Sequence, residues 1–296
     1  MILALALGCA GVPNELARPN RLALATDGTL YVSDLQHHRI VVFPADGGPP
    51  VPFGERGIQR NQLWRVTAMA VGRDGHLFVA NRRPETEERE SQIRFDIVEF
   101  DGPQEVARTL IDQRTLQPDG WVDAIAEAPD GSLVIADTTN GELVEVDASG
   151  MRLGRFGGVP RLDAAPSGLR RAGDDVWVVE QYRHRVSRIG KDGNPQVLPL
   201  HDAPDGLPRF PSAIGVCPGH WVAIGDFGNH RVERYALDGT RIGGFEPVPV
   251  DDESPVEVID LDVSPDCTKL YLVDSKGNRV LITTPDGTVL DTVDRW

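Results

Sequence analysis

Positive charge is in short supply in this chain of 296 residues: Lys and Arg number 30 against 45 Asp and Glu, a formal net charge of −15. Such a surface repels phosphate backbones at long range, so nucleic acid is not the expected partner. No Lys/Arg cluster in the turns offers a local exception. Cysteine is scarcer still, with three residues, Cys9, Cys217 and Cys267. That number suits an oxidising or a reducing compartment equally. After the first eleven residues no apolar run approaches the ~20 needed to span a bilayer. No Ser-His-Asp arrangement, phosphate loop or metal-spaced Cys/His cluster is present.

What the chain has in quantity is turns. Its 31 Gly and 23 Pro, with recurring Asp-Gly pairs, mark a turn-dense all-β protein. Residues 211–238, PSAIGVCPGHWVAIGDFGNHRVERYALD, read as three short strands. Pro218-Gly219 and Gly228-Asn229 turn the chain between them. The phrase recurs six times, with the second strand ending at Asp34, Asn81, Asp137, Glu180, Asp226 and Asp274, in steps of 47, 56, 43, 46 and 48 residues. A further apolar run follows each third strand: Val51–Phe53, Val106–Leu110, Leu153–Phe156, Val197–Leu200, Thr240–Phe245 and Thr288–Val293. Four strands per repeat at this spacing predict a six-bladed β-propeller of four-stranded antiparallel blades over residues 12–296. Each blade is complete within its own repeat, although residues before Pro19 are placed to add to ring closure.

The phrase GDFGNHRVERYALDG (225–239), echoed in SDLQHHRIVVF (33–43) and VDSKGNRVLIT (273–283), resembles the NHL repeat. The resemblance covers about residues 19–293. The second repeat departs from it, with Asn81 for Asp and no His-Arg pair, and the third has Gly141-Glu142 there. It implies the fold; NHL propellers serve as scaffolds, receptors and enzymes alike.

The six residues ending strand two are read as structural anchors, accepting turn N–H groups and pairing with the Arg that begins strand three (Arg39, Arg185, Arg231, Arg279). His38, His184 and His230 share one repeat position. On blades 1, 4 and 5 such positions radiate apart, so they cannot share a zinc ion. Candidate ligand-binding residues are those at the start of strand one, which lines the axis: Asn20, Thr67, Asp123, Ser167, Ser212 and Ile259, with Asp260 beside the last. A water-filled channel mouth is the plainer alternative.

Enzymatic relatives can be tested at these positions. Peptidyl-hydroxyglycine lyases, which the chain resembles in fold, carry zinc-binding His after Pro, whereas Pro19, Pro166 and Pro211 precede Asn or Ser. Arg18-Pro19-Asn20 and Ser264-Pro265-Asp266 look like fragments of gluconolactonase and senescence-marker phrases. That resemblance implies a calcium-dependent hydrolase with Asn20, Asp123 and Asp260 as oxygen ligands, so Ca2+ is the one cofactor to test. The favoured expectation is a non-catalytic binding or scaffold propeller. It would be monomeric and take a protein, peptide or glycan partner on the face bearing the strand 2–3 turns and blade-entry loops. A long charged insertion, residues 82–95, enlarges that face and reads as a solvated insertion, with a partner-binding lid as the alternative. Trp64, Trp121 and Phe210 also arrive there.

Residues 1–11, MILALALGCAG, read as the hydrophobic part of an export signal. Gly8-Cys9 resembles a lipoprotein cleavage site, although no basic stretch precedes the apolar run and Ala6 stands where Leu is usual. An extracytoplasmic protein, lipid-bearing at Cys9, is the expectation. Cys217 and Cys267 fall near turns of consecutive repeats, where a bridge is conceivable. Two unpaired thiols are the preferred reading.

Overall fold

The computed structural model describes residues 14–59, 62–86, 93–102, 106–111 (as backbone), 121–156, 162, 165–190, 193–200, 206–249 and 255–296. Six antiparallel sheets of four strands, each in sequence order, form the six blades. Blade 1 comprises β1 (Pro19–Leu24), β2 (Leu30–Asp34), β3 (Arg39–Phe43) and β4 (Val51–Phe53); blade 2, β5 (Arg65–Val71), β6 (Leu77–Pro84), β7 (Ile93–Phe100) and β8 (Val106–Ile111). Blade 3 has β9 (Val122–Glu127), β10 (Leu133–Asp137), β11 (Glu142–Val146) and β12 (Arg152–Arg155); blade 4, β13 (Pro166–Ala172), β14 (Asp175–Glu180), β15 (Arg185–Ile189) and β16 (Pro195–Val197). Blade 5 has β17 (Pro211–Cys217), β18 (Trp221–Asp226), β19 (Arg231–Ala236) and β20 (Arg241–Phe245); blade 6, β21 (Val258–Val263), β22 (Leu270–Asp274), β23 (Arg279–Thr283) and β24 (Val289–Val293).

Each sheet is covered on both faces by its neighbours, which is why strand two is apolar throughout rather than alternating. All five residues of LYVSD, LVIAD and LYLVD are buried. The buried apolar residues fall into six clusters, and each spans one seam between adjacent blades. The seam joining blade 6 to blade 1 has the same kind of core, with Val32, Val41, Val273 and Val280. The segment before Pro19 adds to it: Leu16 N–H donates to the Asp294 carbonyl (2.7 Å) and Trp296 N–H to that of Asn14 (2.8 Å). Trp296 packs edge-on against Phe43, with the Arg39 guanidinium 4.9 Å from its ring centre.

Three expectations need correction. Cys217 and Cys267 form a disulfide, with Cα atoms 5.5 Å apart, tying the end of β17 to the first turn of blade 6. The preferred reading of two free thiols fails because Cys267 takes a left-handed backbone (φ 60°), a direction that sequence spacing does not reveal. The outer strand of blade 4 is Pro195–Val197 rather than Val197–Leu200, the chain having already turned at Leu198–Leu200. The insertion in blade 2 is not wholly solvated. β6 and β7 continue as a ribbon with Arg82 opposite Phe95, Arg83 opposite Arg94 and Pro84 opposite Ile93. Apolar Phe95 and Ile93 pack against the blade 2–3 core, which draws the ribbon down onto the protein. Residues 87–92 lie outside the described residues, as do Cys9 and the whole segment 1–11.

One irregularity recurs in every blade and positions the site. Strand one bulges opposite the anchor, skipping one residue: Asn20, Thr67, Asp123, Ser167, Ser212 and Ile259 have no cross-strand partner. A bulge re-aims the extra side chain. Here it turns toward the axis the six residues picked out from the sequence.

Candidate functional site

All six anchors are 2% exposed or less. Asp34 holds Arg39 Nε at 2.8 Å, Asp226 holds Arg231 Nε at 3.0 Å, Asp274 holds Arg279 Nε at 2.9 Å and Glu180 holds Arg185 Nη2 at 2.6 Å. The carboxylates also reach where sequence reasoning did not place them, the chain entering strand one. Ala17 N–H donates to Asp34 (2.9 Å) and Arg209 N–H to Asp226 (2.6 Å). Asn81 does the same for Trp64 and Arg65, at 2.9 and 3.2 Å, while its amide donates to the Gln62 carbonyl at 3.0 Å. In blade 2 the residue opposite the anchor is Asp96 rather than Arg, so a neutral anchor suffices there.

The motif histidines have a structural role. His38, His184 and His230 all take left-handed backbones, φ 53°, 53° and 56°, as does Asn278 at the same position. His and Asn tolerate that region better than most residues. Two of the rings cross to the next blade: His38 Nδ1–H donates to the Trp64 carbonyl (2.7 Å), and Phe210 N–H donates to His184 Nδ1 (2.9 Å).

The strand-one residues form two groups. Asn20, Thr67, Asp123 and Ile259 line an open funnel of about 530 Å³ at the end bearing the strand 2–3 turns. Ser167, Ser212 and Asp260 lie below it, around a constriction of about 10 Å³ that Asp123 and Ile259 also reach. Several of these side chains join blades. Asn20 Nδ2 donates to the Val66 carbonyl (2.8 Å), Ser212 Oγ to that of Val258 (2.6 Å) and Ser167 Oγ to that of Pro211 (3.4 Å). In each case the acceptor precedes the bulge of the next blade. Polar residues recur at these positions because the seam uses them.

Two arginines that sequence reasoning passed over close the axis. Arg21 donates to the Thr67 carbonyl (2.6 Å) and sits 3.8 Å from Asp123, whose carboxylate also accepts Trp121 Nε1–H (2.8 Å). Arg170 donates to Asp260 (2.8 Å) and to the Leu261 carbonyl (2.9 Å), and lies 3.3 Å from Asp262. The second oxygen of Asp260 accepts Leu22 N–H (3.0 Å). Burial pushes the Asp262 carboxyl above its ordinary range, against the pull of Arg170. Both carboxylates of the proposed calcium set thus answer guanidinium groups, and Asp260 is buried. Hard-cation sites take carboxylates free of competing cations, so these residues do not fit Ca2+. The signal for Arg21 and Arg170 was their charge, inside strands otherwise apolar toward the axis.

Among the described residues, metal-type side chains gather in threes only at Asp74, His76 and Glu99, at the opposite end of the axis, where the His76 and Glu99 side chains pair at 2.5 Å.

Beside the funnel, Gln181, Arg209, Phe210, Phe227, Gly228 and His230 line a groove of about 410 Å³, and Phe227 borders both. Phe210 is 38% exposed, at φ 48°. A bulky residue held left-handed stores strain of the kind that clusters at functional positions. Tyr182 and Leu207, 66% and 55% exposed, lie on the same turn and entry loop. Gly228 is required, since a Cβ there would meet the Arg209 carbonyl oxygen at 2.6 Å. Across the funnel, Trp121 carries the Arg82 guanidinium 4.4 Å from its ring centre and meets Phe95 edge-on at 5.7 Å.

Comparison with known proteins agrees with this architecture. No curated protein matches the sequence. Among solved structures, virginiamycin B lyase from Staphylococcus aureus, with quinupristin, shares 15% identity over 90% of this chain and 94% of that one, at a TM-score of 0.60. A gluconolactonase from Xanthomonas campestris shares 15% over 92% and 88% (TM-score 0.64), and a chain of a nidogen/laminin complex 16% over 86% and 90% (TM-score 0.64). At such identities the likeness is one of fold. Residues 16–43 match the NHL repeat family model, and the protein is therefore a six-bladed β-propeller that opens on an NHL repeat.

Proposed function

We propose that the protein is a binding propeller that takes a peptide segment of a protein partner on the funnel face. The observation that carries this reading is the groove beside the funnel, lined by Phe210 and Phe227, where Phe210 is held in a strained backbone and Tyr182 and Leu207 stand exposed on the adjoining turn and entry loop. Scattered apolar surface residues are ordinary, but grouped aromatics on a rigid rim are typical of recognition sites. A nidogen/laminin complex built on a propeller of this fold gives the reading a precedent. The Cys217–Cys267 disulfide supports an extracytoplasmic site of action, where Cys9 would carry the anchor.

The test is selection of a displayed peptide library on the wild-type protein, followed by titration of the enriched peptides against Tyr182→Ser/Phe210→Ser. Loss of about 2 kcal/mol or more, a thirtyfold weakening, is expected for an aromatic anchor. Equal affinity for the variant would sink the proposal. Calcium added to chelator-treated protein should leave the melting midpoint where it was, since a ligand at a hundred times its Kd would stabilise by about 2.7 kcal/mol.

A further inference from the structure

Arg65, which lines the funnel, and Arg82, which shares the Trp121 ring with it, carry charges that the fold does not account for. In the anchors of this end, Arg39, Arg231 and Arg279 each answer a carboxylate. Arg65 and Arg82 form no ion pair among the described residues, and the buried Nε of Arg82 has no hydrogen-bond partner. Both lie against one indole, with guanidinium carbons 4.4 Å (Arg82) and 6.0 Å (Arg65) from the centre of the Trp121 ring. Burial, and then the charge of Arg65, push the Arg82 guanidinium below its ordinary value.

That indole is a fixed platform. Phe95 meets its face edge-on and Asp123 holds its Nε1–H. Arg82 comes from the strand extension of blade 2 and Arg65 from the entry of β5, so neither hangs on a floppy tip. Two cations gathered on one ring repel each other, and burial partly desolvates Arg82, a cost repaid when an anion arrives. A guanidinium fork suits a carboxylate, which it can hold through two parallel hydrogen bonds. Arg18, exposed at φ 55°, faces the same funnel. The two carboxylates on the funnel lining, Asp123 and Glu257, already face Arg21 and Lys276.

We infer that the funnel mouth receives the carboxylates of an acidic peptide segment, with Arg65 and Arg82 on Trp121 as the anchoring pair and the groove past Phe227 taking an apolar side chain of the same segment. The inference rests on reading this face as the partner-binding one, and adds the chemistry of the partner.

Calorimetric titration with tetraglutamate blocked at both ends tests it, alongside the tetraglutamine counterpart and inorganic phosphate. Saturable one-to-one binding of tetraglutamate is expected, with none of tetraglutamine. Arg65→Gln and Arg82→Gln should each weaken it about tenfold, the worth of one charge-assisted hydrogen bond. Arg82→Gln should melt with the wild type, because no carboxylate is orphaned, which separates a binding arginine from a structural one. Tetraglutamate affinity unchanged in both variants overturns the inference. So does phosphate binding as tightly with the same dependence on arginine, which would mark a free-anion site. Tyr182→Ser/Phe210→Ser should leave tetraglutamate binding intact. If that variant loses the library peptides while the arginine variants keep both ligands, the face binds a partner but the acidic anchor is wrong. If the arginine variants lose tetraglutamate while the groove variant keeps its peptides, the anion site stands and the peptide groove falls.

Discussion

The two ends of this propeller treat charge in opposite ways. At the end bearing the strand 1–2 and 3–4 turns, acidic residues answer themselves locally. Asp27, Asp46, Asp74, Asp130, Asp147, Asp238 and Asp266 each accept the backbone N–H two residues on. The Ser264 hydroxyl and the Thr268 N–H and hydroxyl hold Asp266 down to about 2, and Ser149 likewise lowers Asp147. At the funnel end the anchor carboxylates are buried and spent on long-range work, joining turn, arginine and blade entry, while Arg65 and Arg82 on Trp121 form no ion pair among the described residues. The first pattern closes a turn and asks nothing of a ligand. The second leaves charge over, which is why the proposed site lies at that end.

That contrast breaks most visibly at an anchor. Asp34→Ala would leave buried Arg39 without its carboxylate and Ala17 N–H without its acceptor. A loss of about 3–5 kcal/mol in unfolding free energy is expected, as for other buried ion pairs stripped of one partner. Asp34→Asn should cost less, since Asn81 already works as an anchor in blade 2. By contrast Asp147→Ala, in a solvent-facing turn, should be nearly silent in the same denaturant titration. Comparable losses at the two positions would erase the distinction between the ends.

The next largest effect belongs to the quiet end. The disulfide closes a loop of 50 residues between blades 5 and 6, worth about 4 kcal/mol if its action is on the unfolded chain. Cys217→Ala/Cys267→Ala, or reductant on the native protein, should lower the melting midpoint, with the arginine-dependent binding of tetraglutamate unchanged at temperatures where the variant stays folded. A bridge that mattered to the funnel would weaken that binding too.

The architecture was legible in the sequence because each blade repeats one solution. A carboxylate ends strand two in every blade but the second, a left-handed His, Gly or Asn follows four residues on in most blades, and an Arg opens strand three in four of them. Even the bulge residues could be named, since polar Asn20, Asp123, Ser167 and Ser212 interrupt apolar strands. What they do could not be read, because the Val66, Pro211 and Val258 carbonyls they serve, or the Arg21 that Asp123 faces, belong to other blades. The axial Arg21 and Arg170 were hidden for the same reason. Each is one charge in one repeat, and its cross-blade partners come from strands 46 to 102 residues away. The platform of Arg65, Arg82 and Trp121 required the ribbon of blade 2, which a charged insertion does not advertise.

The smallest effect sharpens the comparison with two histidines. His76 lies at the acidic end, where Glu99 holds its ring and Asp74 and Asp101 add to the pull, raising its pKa above the ordinary 6.5. His38 lies at the funnel end, where burial lowers its pKa, helped by Arg56 and His37 and opposed by the Trp64 carbonyl and Asp34. The signs of the linkage follow. For His76 the folded state binds the proton more tightly, so its contribution is whole below 6.5 and fades as pH rises through the folded value. For His38 the unfolded state binds it more tightly, so a penalty appears as pH falls below 6.5 and is complete beneath the folded value. In an NMR titration assigned with His76→Gln and His38→Asn, one ring should titrate on each side of 6.5. His38→Asn, which keeps a residue tolerant of the left-handed backbone, should flatten the loss of stability on acidification. His76→Gln should steepen it, because the compensating gain is gone. If both rings titrated together, the contrast between a carboxylate-held ring and a buried one would vanish.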